Sequence, residues 1–129
     1  MRLLLDTHIW LWSLIEPERL GRRTRSELRD AKNELWLSPI SIWEAITLHD
    51  KGRVYLAADV TEWITRNAAP FREAPLTHEV AAATRKVPLD HRDPADRFLA
   101  ATALVLDLTL VTADTKLLGL GEISTLANR

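Results

Sequence analysis

With 129 residues, 47% of them hydrophobic and 27% charged, the chain has the size of a single domain spanning 1–129 and a composition that excludes intrinsic disorder. Seventeen basic against eighteen acidic residues leave a net charge of −1, which excludes the overall basic field of a protein that coats nucleic acid and confines any polyanion contact to a local patch. The absence of cysteine excludes disulfides and thiolate zinc sites; no apolar run reaches membrane-spanning length, so a cytoplasmic protein without membrane contact is expected.

Residues 2–5, Arg-Leu-Leu-Leu, read as a short strand ending at Asp6-Thr7, which can cap a helix through Ile9 to Leu14. Glu16-Pro17 breaks that helix, and a charged amphipathic helix is predicted from Gly21 to Lys32. The segment 19–32 carries Arg19, Arg22, Arg23, Arg25, Arg29 and Lys32 against only Glu27 and Asp30. Such a run suits a solvated helix face as well as a polyanion patch. Glu34 to Ser38 reads as a second strand, after which Ser38-Pro39 offers a cap and a first-turn proline. That helix passes Ile40, Trp43 and Leu48 to Lys51-Gly52, where the glycine provides a stop.

Helices are predicted over 59–68 and 77–86, with a brief extended stretch near Phe71 to Leu76 between them. A loop over 87–93 leads to Pro94 and a long helix ending near Asp107. Leu108 to Thr112 is an apolar, β-branched strand followed by Ala113-Asp114, a helical turn at Thr115 to Leu118 and an edge strand at Glu122 to Leu126. Strands alternating with helices imply parallel pairing with helices on both faces. In such sheets ligands bind beyond the carboxyl ends of the strands, where Asp6 and Asp114 both fall.

Four acids stand out. Asp6 and Asp114 can each be a plain helix cap. Glu44 is the one charged residue between Pro39 and Leu48, and a buried Glu is rare without a partner. Asp96 fits a capping arrangement with Asp93 as cap and Asp96 at the third helical position, where a carboxylate favours the helix dipole. It also shares a face with Leu99, Ala100 and Ala103, a small apolar stripe that would aim it into a pocket floor. Independent caps have no reason to converge, so the coincidence favours one shared site. Ionised acids gathered in a dry site need a counter-charge, and no Lys or Arg stands beside Asp6 or Glu44 in sequence. A divalent cation is the simplest neutraliser.

Leu5-Asp6-Thr7, Ser38-Pro39-Ile40-Ser41-Ile42-Trp43-Glu44, Asp93-Pro94-Ala95-Asp96-Arg97-Phe98-Leu99-Ala100-Ala101 and Leu110-Val111-Thr112-Ala113-Asp114 together resemble the PIN-domain nucleases, and among them the VapC-type toxins of toxin–antitoxin pairs. The likeness runs from Arg2 to Leu118, and it is the order and spacing of the motifs that make it specific. It implies a three-layer α/β/α domain with a mainly parallel central sheet of four to five strands, and a Mg²⁺- or Mn²⁺-dependent endoribonuclease leaving 5′-phosphate and 3′-hydroxyl ends. It carries over Asp6, Glu44, Asp96 and Asp114 as catalytic, metal-binding acids, Thr112 and Thr7 as supporting hydroxyls, and Asp93 as a cap close enough to remain in play. RNA contacts are assigned to Arg97 and to Arg22, Arg23 and Arg25. The implied partners are the RNA substrate, a cognate VapB-like antitoxin and a second copy of the chain.

Helix 7–15 is apolar nearly all round, through Ile9, Trp10, Leu11, Trp12, Leu14 and Ile15. The excess is expected to be core, an antitoxin groove or a homodimer face. Trp36, Trp43 and Trp63 read as core residues rather than base-stacking platforms. His8, His49, His78 and His91 show no zinc spacing and read as structural or exposed.

Three rivals are weaker. A receiver-like magnesium-binding signalling domain needs an acidic pair after strand one and a late Lys-Pro, where this chain has Leu5-Asp6-Thr7 and Thr115-Lys116-Leu117. A haloacid-type phosphatase needs Asp-x-Asp and finds Asp6-Thr7-His8. A catalytically inactive PIN binding module is disfavoured by the presence of all four acids.

Overall fold

The apolar Leu3-Leu4-Leu5 of Arg2–Leu5 (β1) and Leu110-Val111 of Thr109–Thr112 (β4) place alternate side chains on opposite sheet faces, and both faces are covered. The computed structural model of the chain describes residues 1–89 and 93–129; the middle of the predicted 87–93 loop, and with it His91, lies outside the described residues. β1 pairs in parallel with Glu34–Leu37 (β2) and with β4, β2 with Arg72–Glu73 (β3), and β4 with Ser124–Ala127 (β5). The order is β3-β2-β1-β4-β5. The helices are Thr7–Ile15 (α1), Arg22–Arg29 (α2), Pro39–Asp50 (α3), Val60–Ala68 (α4), His78–Ala83 (α5), Pro94–Leu106 (α6) and Thr115–Leu118 (α7). This is the three-layer α/β/α arrangement that the sequence implies.

Leu3, Leu5 and Val111 face one cluster with Ile9, Trp10 and Leu11 of α1 and Ile64 of α4. Leu4 and Leu110 face the other, with Val80 of α5 and Leu99, Ala100 and Ala103 of α6. The small alanines let α6 lie close to the sheet, and every member of that stripe is at most 2% exposed. Burying a Leu such as Leu99 in this packing is worth about 2–3 kcal/mol by area.

The chain runs outward from β1 to β2 and β3, then returns to the other side of β1 as β4 and β5. That reversal makes a topological switch point between β1 and β4, where a crevice opens at the strand carboxyl ends. Leu5 is paired with Val111, so Asp6 and Thr112 emerge side by side. α3 contacts both α1 and α6, which sets it across the mouth of the crevice.

Three sequence expectations need correction. The basic helix stops at Arg29 rather than Lys32, because Asp30 forms a turn in which its Oδ1 accepts from Lys32 N at 2.9 Å and its carbonyl from Asn33 N at 3.0 Å. The extended stretch predicted near Phe71 to Leu76 is borne out, as the two-residue edge strand β3. The last strand is Ser124–Ala127, shifted toward the C-terminus. Trp43 is 54% exposed and not core: α3 buries only the small Ser41 and Ala45, and Trp43 points away from them. Trp36 and Trp63 do pack, partly buried, against the two clusters.

Candidate functional site

Asp6 ends β1 and caps α1, so its carboxylate must sit at the positive end of a helix. It is 7% exposed, and both oxygens are engaged: Oδ1 accepts from Thr7 N at 2.7 Å and Oδ2 from Thr112 Oγ1 at 2.6 Å. Thr112, fully buried, also accepts from Asp114 N at 3.0 Å. One hydroxyl therefore ties β1 to the turn after β4. Asp114 caps α7, its Oδ1 accepting from Lys116 N at 2.8 Å.

Glu44 reaches the crevice from the middle of α3, and Thr7 Oγ1 donates to its Oε1 in a very close contact. Thr7 Oγ1 also lies 2.9 Å from the Oγ of buried Ser41. A hydroxyl has one proton to give; with that proton on Glu44, Ser41 supplies the proton of the other bond and orients Thr7. Ser41 lies one helical turn before Glu44, on the same face. Its Ser-x-x-Glu spacing was the legible signal for it, and the sequence reading did not single it out.

Asp96 stands in the first turn of α6, whose cap Asp93 accepts Asp96 N at 3.2 Å. Asp6, Glu44, Asp93, Asp96 and Asp114 line one cleft of about 350 Å³, with His8 at its rim. The four predicted acids are thus brought together, with Asp93 as a fifth. His8 was set aside in sequence for lack of zinc spacing; its place directly after Thr7, on the first turn of α1, is what puts it at the cleft.

The electrostatics are those of crowded, partly dry carboxyls. Burial pushes Asp6 above the usual range, against the opposing pulls of the Thr112 hydroxyl, His8 and Thr7 N. Glu44 is raised by burial and by the charges of Asp6 and Asp93, while Thr7 and His8 pull it down. Asp96 is pushed up to about 8, first by burial, then by a hydrogen bond with the Asp93 carboxyl and the charges of Asp93, Asp6 and Asp114. No ion pair among the described residues involves these acids.

Among the described residues, no group of three or more carboxylate or imidazole side chains stands ready to hold a metal ion. Asp6 is turned to Thr7 and Thr112, Glu44 to Thr7, and Asp114 to Lys116. The donor set still fits a hard cation, since carboxylate oxygens are what Mg²⁺ and Mn²⁺ prefer. Among the described residues, His8 is the one basic side chain that lines the cleft with these acids.

The cations assigned to RNA lie elsewhere. Arg97 Nη2 donates to Thr84 O at 2.8 Å, bracing α6 against the turn that follows α5. Arg22 and Arg25 border a separate hollow on α2 together with Arg29, and Arg23 is exposed on the same helix. The structure does not bring this group into the acidic cleft.

A family model described as the PIN domain matches residues 3–122. Ribonuclease VapC22 of Mycobacterium tuberculosis (strain ATCC 25618 / H37Rv) is 36% identical over 115 residues, which is 88% of each chain. Among solved structures, DNA-bound VapBC from Salmonella typhimurium matches with a TM-score of 0.75 at 14% identity over 98% of each chain. VapBC2 from Rickettsia felis, bound to a DNA fragment from its promoter, matches with a TM-score of 0.72 at 15% identity, again over 98% of each chain. At such identities these two likenesses speak to the fold.

Proposed function

From the premise that this chain belongs to the PIN-domain family, in its VapC-type branch, we propose that it is a divalent-metal-dependent endoribonuclease acting in the cytoplasm as the toxin of a toxin–antitoxin pair. The observation that carries the reading is that Glu44 and Asp96, which cap no helix, meet the capping acids Asp6 and Asp114 in one cleft at the switch point of the sheet. The relative named ribonuclease supplies the substrate class. The toxin–antitoxin complexes among the structural neighbours supply the expectation of a VapB-like partner, and a homodimer belongs to the same reading.

Asp6, Glu44, Asp96 and Asp114 would hold Mg²⁺ or Mn²⁺, which when bound acidifies water and offsets charge on the phosphoryl oxygens. The protein's own contribution is orientation. Thr112 and Thr7 N fix the Asp6 carboxylate before any ligand arrives, and Thr7, itself steered by Ser41, fixes Glu44. Burial and the neighbouring Asp93 carboxyl favour the protonated form of Asp96, so a cation competes with a proton for the site. Full charge on the acids is reached only when a cation is there to balance it. Arg22, Arg23 and Arg25 form an outlying cationic strip for a polyanion, whereas Arg97 is better read as a brace for α6.

The test is cleavage of RNA by purified protein with Mg²⁺ or Mn²⁺, with a chelator control, repeated with Asp6→Asn and Asp96→Asn. We expect cleavage to fall at least a hundredfold in each variant, with the circular dichroism of a folded protein retained. Undiminished cutting by either variant would remove the site assignment, and no cutting by the wild type under any divalent metal would remove the enzyme reading.

A further inference from the structure

The acidic cleft continues into a second hollow of about 440 Å³. The two share His8, Trp12 and Glu44. On this shared wall His8 and Trp12, one turn apart on α1, stand with ring centroids 5.8 Å apart. The Arg19 guanidinium lies 4.6 Å over the Trp12 ring. His8 meets Trp12 at a tilt of 51°, and Trp12 with the guanidinium over its ring makes a platform leading away from the acids. Arg53, in the turn after α3, borders the same hollow, whose floor is apolar through Leu11, Leu48 and Val54.

Both arginines are exposed. Arg53 enters no ion pair among the described residues, and Arg19 has only the solvent-facing Glu16 at 3.8 Å, a pairing that yields readily to a better anion. An acidic cleft repels a polyanion. Positive charge just beyond it is where a strand crossing the cleft can be gripped, and planar side chains beside that charge are what an unstacked base lies against.

We propose that this second hollow is a subsite for one unpaired nucleotide of the substrate strand, its base stacked on the Trp12–Arg19 platform and its phosphate met by Arg19 and Arg53. The proposal rests on the ribonuclease reading above and adds to it the place on the protein that holds one nucleotide. A base inside a duplex cannot offer its face to a protein ring, so the RNA taken is single-stranded: a loop, a bulge or an end. The commitment to RNA rather than to a protein segment follows from the pairing of flat rings with two exposed guanidiniums and from direct continuity with the acids.

The experiment measures binding of a fluorescein-labelled single-stranded RNA, and of the same sequence as a perfect duplex, in Ca²⁺ as a function of salt. Wild type is compared with Trp12→Leu and with the surface double variant Arg19→Gln/Arg53→Gln. We expect Trp12→Leu to weaken single-strand binding about tenfold, the loss of one stacking contact. The double variant is expected to lower the slope of log affinity against log salt by about 0.7, the one phosphate that both guanidiniums meet on a single strand. The wild type is expected to prefer the single strand to the duplex. Should Trp12→Leu fail to fold, the double variant alone decides the matter through its salt slope. Unchanged affinity and slope in a wild type that cleaves RNA would overturn the subsite and leave the ribonuclease reading standing. Unchanged RNA affinity with weakened binding of a partner protein would overturn it in favour of a protein interface. A wild type that cleaves no RNA overturns the underlying reading itself.

Discussion

Replacing Asp96 by Asn tests the electrostatics of the cleft without any appeal to turnover. Burial and the Asp93 carboxyl raise the Asp96 pKa from 3.8 to about 8 in the folded protein. The raised value fixes the sign. Below about pH 4 both folded and unfolded chains hold the proton and nothing is lost. Between about pH 4 and 8 the unfolded chain ionises while the folded one does not, so stability drains away, and above about pH 8 the loss is complete. In a fully dry site that span would be worth roughly 6 kcal/mol at about 1.4 kcal/mol per tenfold change in proton affinity. Solvent reaches Asp96 in part, and screening reduces the figure to roughly 2 kcal/mol. A carboxylate in the first turn of a helix returns only about 0.3–1 kcal/mol through the helix dipole, so the penalty wins.

Metal-free Asp96→Asn should therefore be more stable than the wild type at pH 8, by about 5–10 °C in Tm for a domain of this size. The difference should shrink toward zero near pH 4. Excess Mg²⁺ should reverse the order, because a ligand at a hundred times its Kd adds about 2.7 kcal/mol to the protein that binds it, and the variant has lost an oxygen donor. The assay is thermal unfolding by circular dichroism across that pH range, in chelator and in Mg²⁺. A variant that is less stable at pH 8 without metal, or a gap that ignores pH, would refute the reasoning.

Thr112→Val removes the hydroxyl that joins Asp6 Oδ2 to Asp114 N at nearly constant volume; it should cost about 2–4 kcal/mol in denaturant unfolding, since a buried carboxylate and an amide each lose a partner, whereas Thr112→Ser should recover at least half. Asp107 caps α6 at φ 54°, a conformation that costs an L side chain about 1–2 kcal/mol in general and Asp somewhat less. Asp107→Gly should raise stability by about 0.5–1 kcal/mol and Asp107→Val lower it by at least as much, an order that urea midpoints would check.

The elements framing the site were legible because their punctuation is local. Asp6-Thr7, Ser38-Pro39 and Asp93-Pro94 each pair a capping side chain with a helix-compatible first turn, and α1, α3 and α6 begin where those pairs stand. What failed to read depends on partners distant in sequence. The stretch holding β3 was legible as extended, but not its place beside Trp36 and Leu37 at the sheet edge. Trp43 is apolar enough for a core, yet α3 faces its neighbours through Ser41 and Ala45, and nothing in the local pattern says which side of the helix those neighbours occupy. Ser41 was not singled out and His8 was weighed only as a zinc ligand, so neither was read as a neighbour of Thr7 and Glu44.

The convergence of acids, taken in sequence as a coincidence that caps alone would not produce, needs a sharper argument. In a parallel sheet every helix that follows a strand begins at the strand's carboxyl end, so caps such as Asp6 and Asp114 gather there by topology whether or not they share a ligand. Both do act as caps, and their convergence carries little weight. The discriminating residues are Glu44 and Asp96, which cap nothing. Glu44 stands mid-helix, partly desolvated, with Thr7 and Ser41 committed to holding it. Asp96 sits above a stripe of small residues that brings it down to the sheet, at a position where its own charge is opposed by burial and by neighbouring carboxyls. Folding alone would be better served by Gln at 44 and Asn at 96. Their acidity is a cost to the metal-free protein, and a function in which a cation is bound is what makes that cost intelligible.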